Sequence, residues 1–75
     1  MPLIADLAMQ VRHLEQAELH VAQGERHIAR QEVLVTRLAL HGHNVTEARK
    51  LLDNLYVSQA LLTQHRDQIR KELER

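Results

Sequence analysis

The stretch Leu38-Ala39-Leu40-His41-Gly42-His43-Asn44-Val45-Thr46-Glu47 decides the fold. Gly42 stands where a helix needs a left-handed residue just past its C-terminus. A start signal follows at once: Asn44 offers a side-chain oxygen to the free N–H groups of a new helix, with Glu47 as its acidic partner three residues later. A stop and a start this close leave no room for a linker. The spacing predicts a first helix over about 3–41, a turn at 42–44 and a second helix over about 45–74. So short a connection makes the two helices antiparallel neighbours.

Outward from the turn almost nothing breaks a helix, because the 75 residues contain two glycines and one proline. Pro2 suits a first helical turn, where its missing N–H costs nothing. Leu7, Leu14, Val21, Ile28 and Val35 then recur every seven residues, the period of a coiled-coil seam. Taken as position a, they place Gln10, Ala17, Gly24, Gln31 and Leu38 at d. In the second helix Ala48, Leu55, Leu62 and Ile69 form the corresponding series, and the same labelling puts Leu51, Ser58, His65 and Glu72 at d. Folding about His43 then pairs Gly24 with Leu62, Ala17 with Ile69, Leu38 with Ala48, Val35 with Leu51 and Ser58 with Ile28. Small residues face large ones, which gives Gly24 a packing role despite a mid-helix cost of ~1 kcal/mol. On the flanks Glu18 falls opposite Arg66, and Glu25 opposite Gln59. The expected fold class is all-α: a single antiparallel two-helix hairpin, coiled-coil-like, over residues 1–75.

Such a hairpin buries only one stripe per helix, and chains below ~70–80 residues rarely extract more than 3–5 kcal/mol from one core. The first helix also outreaches the second, so Leu3, Ile4, Leu7 and Met9 overhang it. Leu34 and Leu61 on one side of the seam, and Leu52 and Val11 on the other, widen the apolar surface further. Burying ~10 such side chains at 1.5–3 kcal/mol each would exceed the stability of a lone hairpin. The expected partner is a second copy, giving a homodimeric four-helix bundle through Leu3, Ile4, Leu7, Val11, Leu34, Leu52 and Leu61. Another helical protein is the alternative occupant of part of that surface.

Ten basic and ten acidic residues leave the chain formally neutral, and Tyr56 is the only aromatic. That argues against nucleic acid, which needs a basic stripe or a stacking platform. Arg66, Arg70, Lys71 and Arg75 do cluster, but Asp67, Glu72 and Glu74 interleave with them as ion-pair partners. Without cysteine there is no disulfide framework and no thiolate chemistry. Nothing approaches the ~18 apolar residues of a membrane span, and the start lacks a basic signal-peptide region. The expectation is a cytoplasmic protein without a membrane partner.

The six histidines are the chemically suggestive feature. His13, His20 and His27 are seven apart, so successive rings lie ~10.5 Å apart along the axis, too far to share one zinc. Across the hairpin His65 comes level with Val21, next to His20, and this pair is the candidate for a metal or a proton-sensitive contact; burial there would favour the neutral form. His41 and His43 belong to the turn, where cations at a helix C-terminus are explanation enough. No acyl-transfer constellation, di-iron carboxylate set or phosphate loop is present, so no enzyme, catalytic residue or cofactor is expected.

The run Gly24-Glu25-Arg26-His27-Ile28-Ala29-Arg30-Gln31-Glu32, then Leu38, the turn Gly42-His43-Asn44 and Glu47-Ala48-Leu51-Leu52, resembles small uncharacterised bacterial helical-hairpin proteins, over roughly His20 to Arg66. The resemblance implies the hairpin and carries no activity or functional residue with it. The function expected is a small self-associating interaction or regulatory module. The alternative is a histidine-dependent metal-binding or pH-responsive protein.

Overall fold

The computed structural model describes residues 4–74, so Leu3 lies outside the described residues. Two helices make up the fold: α1, Ile4–Leu40, and α2, Thr46–Leu73. They pack along their lengths as an antiparallel hairpin, a rod of 59 × 14 × 14 Å. The 37 residues of α1 span ~55 Å and the 28 of α2 only ~42 Å. The start of α1 therefore runs past the end of α2, leaving Ile4 88% exposed.

The reversal is built by Gly42, whose φ of 72° is the left-handed conformation that a side chain would strain. Its N–H donates to the Ala39 carbonyl at 3.1 Å, and the N–H of His43 reaches back to Leu38 at 2.9 Å. Those two bonds form a Schellman closure and satisfy carbonyls that the end of α1 leaves open. The His41 ring adds a third contact, Nδ1 to the Arg37 carbonyl at 2.9 Å. Since a carbonyl only accepts, Nδ1 carries the proton.

The start of α2 differs from the expected capping box. Asn44 Oδ1 does accept the Thr46 N–H at 2.9 Å, but as a local turn one residue ahead of the helix. Val45 is the capping residue, and its carbonyl takes the Arg49 N–H at 2.8 Å. Glu47 pairs with Lys50 at 3.5 Å instead of returning to the cap.

Along α1 the heptad reading holds from Gln10 to Leu38, whereas Leu7, the first member of the expected series, is 45% exposed where α1 outruns α2. Leu14, Ala17, Val21, Gly24, Ile28, Gln31, Val35 and Leu38 are buried or half-buried, alternating in steps of three and four. In α2 one of the two expected columns is wrong. Ala48, Leu55, Leu62 and Ile69 do line the seam, but with Val45, Leu52, Gln59, Arg66 and Leu73, while Leu51, Ser58, His65 and Glu72 are exposed. Leu52, expected on the outer surface, is 9% exposed and belongs to the core; Leu51, expected in the core, is 50% exposed. The reason is visible in composition. The observed column contains Val45, Leu52 and Leu73, and the stems of Gln59 and Arg66 cover apolar surface while their polar ends reach partners. The rejected column offers only one apolar residue.

The contacts across the seam change accordingly, because α2 is turned about its own axis relative to the expected column rather than slid along α1. Gln59, not Leu62, lies over Gly24: a Cβ on Gly24 would run into the Gln59 amide. Glu18 meets Arg70 at 3.2 Å rather than Arg66, which turns into the seam and holds Asp67 at 3.0 Å.

Candidate functional site: two unlike flanks

Flanking the seam are two long faces with different chemistry. On one, α1 contributes Glu18, Glu25 and Glu32, at seven-residue intervals. There Arg70 Nη2 donates to Glu18 Oε1 at 3.2 Å, and the Tyr56 hydroxyl donates to Glu32 Oε2 at 2.7 Å. The bond to the Glu32 carboxylate holds the phenol above its ordinary pKa of 10.0, with partial burial and the charges of Glu32 and Asp53 acting in the same direction. This face is charged and stitched together.

The other face carries His13, His20, His27 and Leu34, again at seven-residue intervals on α1, with Leu51, Ser58, His65 and Glu72 on α2. All of these are exposed. His13, His20 and His65 line one cleft of about 270 Å³ floored by Ala17. The expected approach of His20 and His65 is thus present, but the burial expected to favour their neutral form is not, because both rings lie at the surface of a single chain. Among the described residues no three His, Cys, Asp or Glu side chains are arranged to hold a metal ion. The seven-residue step between His13 and His20 accounts for this, as it separates the rings by ~10.5 Å along the axis.

Two glutamines inside the seam set its register, a role that the heptad pattern alone does not assign to them. Gln31 Nε2 donates to the Ala48 carbonyl at 3.0 Å, and Gln59 Nε2 donates to the Val21 carbonyl at 2.8 Å. Each ties one helix to the backbone of the other, so a slip by one turn breaks both bonds. The signal was available: polar residues at seam positions of an otherwise apolar heptad. Among the described residues Gln59 Oε1, buried against Gly24, accepts no hydrogen bond.

Of the residues expected to meet another chain, Ile4, Leu7, Val11, Leu34 and Leu61 are exposed, and Leu52 is not. A further concavity, about 620 Å³, runs past Tyr56, Ala60, Thr63 and Asp67 along α2. Among the described residues no helix is long and apolar enough to cross a membrane. The chain matches no family model, no curated protein and no solved structure.

Proposed function

We propose that this chain is a small helical interaction module of the cytoplasm that associates with itself, as a dimeric four-helix bundle, and works through its surface rather than through catalysis. One observation carries the reading. Among the described residues the seam buries five apolar side chains, none of them completely, while Ile4, Leu34, Leu40, Leu51, Val57, Leu61 and five further aliphatic side chains are left exposed. That balance suits a half-core awaiting its other half, since burial of each such side chain contributes ~1.5–3 kcal/mol. Sedimentation equilibrium and thermal melts across a concentration series test it. A dimer whose melting temperature rises with concentration is expected. A stable monomer at about 100 μM, well above a typical dimer threshold, would overturn it.

A second reading, a histidine-dependent metal-binding protein, would rest on His20 and His65, which line one cleft. Zinc added to the folded chain would then raise its melting temperature through preferential binding to the native state.

A further inference from the structure

We infer that the histidine flank is the self-association face, with a second copy packed antiparallel about a two-fold axis near His20, and that this contact is made at neutral pH and released on acidification. The inference rests on self-association and adds the face, the symmetry and the control.

Charge decides between the two flanks. Burying the opposite face would strip water from Glu18, Glu25, Glu32 and Arg70, and buried charges are costly unless fully paired. The histidine flank has a central stretch of His13, Gln16, His20, Gln23 and His27 without a formal charge when the rings are neutral. Exposed Leu34, Leu51 and Leu61 lie on or beside it and supply the apolar area.

The flank also complements itself. Reversal about His20 sets His13 level with the partner copy's own His27, and Gln16 close to the counterpart of Gln23. Acidic Asp6 and Glu72 lie toward the open end of the hairpin, while Arg30 and Arg37 lie toward the turn. An antiparallel second copy brings each acidic end toward the other's basic half, whereas a parallel one would stack like charges. His20 is near the middle of α1, so overlap is almost complete. In a rod of 59 × 14 × 14 Å that overlap runs along most of the molecule's length.

Proton control follows from the same residues. Beside the α1 histidines stand His65, which lines the same cleft, Glu72 one heptad further along α2, and Asp6, Arg12, Arg26 and Arg30 on α1 itself, while Arg66 holds Asp67, which lines the Tyr56 flank. Near the axis only His20, His65 and their copies approach one another, with no carboxylate in the central stretch to stabilise a cation. An imidazole is neutral at mildly alkaline pH and cationic at mildly acid pH. Neutral rings can be covered, whereas desolvation and mutual repulsion oppose burial of cationic ones, so association is present at higher pH and is lost as pH falls.

The test is sedimentation of the whole chain, with chelator, at about pH 8 and about pH 5, where histidine is respectively neutral and charged. The expected result is a dimer that weakens at least ~10-fold on acidification, a tenfold change being one decade in Kd. His20→Lys, at an exposed site that leaves the hairpin helical by circular dichroism, should dissociate the dimer at the higher pH; Glu25→Lys on the opposite flank should not. Equal dimer affinity at both pH values, or dissociation by Glu25→Lys as strong as by His20→Lys, overturns the inference while leaving self-association standing. A dimer that exists only when zinc replaces chelator also overturns it, in favour of a metal-bridged contact. A monomer under every condition overturns both.

Discussion

The two flanks of this hairpin are built on the same heptad scaffold and have opposite characters. One is closed by its own side chains: Glu18 holds Arg70, and Glu32 accepts the Tyr56 hydroxyl. The other presents His13, His20, His27 and His65 beside Leu34 and Leu51, all exposed. A carboxylate already paired within its own chain has little to gain from a partner, whereas neutral imidazoles and exposed leucines do. The contrast teaches that where a small hairpin lacks core, the face to watch is the one its own charges leave alone.

The sharpest way to break this picture is to exchange neighbours in α2. Leu52→Ala removes a buried side chain and should cost about 2–4 kcal/mol by chemical denaturation. Leu51→Ala, on the histidine flank, should leave the isolated hairpin within about 1 kcal/mol and weaken association instead. The reverse order would restore the column that periodicity alone suggested and would exchange the flanks.

A smaller effect is expected at the turn that holds the flanks in register. Gly42→Ala should destabilise by about 1 kcal/mol, since φ of 72° strains any Cβ although nothing lies within 4 Å of it. Gly42→Asn should recover part of that loss. Gly24→Ala is a subtler case. Helix propensity gains ~1 kcal/mol, but the Gln59 amide is displaced from the Val21 carbonyl, a loss of similar size. The net change should lie near zero. In a Gln59→Ala background the same substitution should stabilise by about 1 kcal/mol, and a double-mutant cycle reads the coupling.

The charged flank should yield the smallest changes. Removing Arg70 from its half-exposed pair with Glu18 should cost no more than about 1 kcal/mol, and less in high salt. Tyr56 should titrate above 10.0 in an absorbance measurement. Because the folded value is raised, the contribution of this contact is intact below the ordinary value and is lost as pH rises through the folded one. Tyr56→Phe should abolish that alkaline dependence, and Glu32→Gln should bring the titration back toward 10.0.

Much of this was readable from the chain. The turn was legible because Gly42 and Asn44 have conformational and hydrogen-bonding properties that few residues share. The α1 seam was legible because apolar residues and Gly24 stand at every position of two columns except Gln10 and Gln31. The α2 seam was not, because Leu51 and Leu52 are adjacent and equally apolar, so periodicity leaves two columns open. Counting Val45 and Leu73 would have favoured the right one. The histidine flank was half-legible: the approach of His65 to His20 follows from the hairpin, but their exposure does not, since periodicity assigns His65 to the rejected column.

By itself, then, the order of residues determined two helices, where they reverse and which stripe of the first faces inward. All of these follow from backbone preferences and from a 3.6-residue turn acting on nearby positions. Only the packed hairpin decided which column of α2 closes the seam, and therefore which residues the two flanks display. That choice belongs to the partner helix: the Val21 carbonyl waiting for the Gln59 amide, the bare Cα of Gly24 beneath it, and Glu18 placed to meet Arg70.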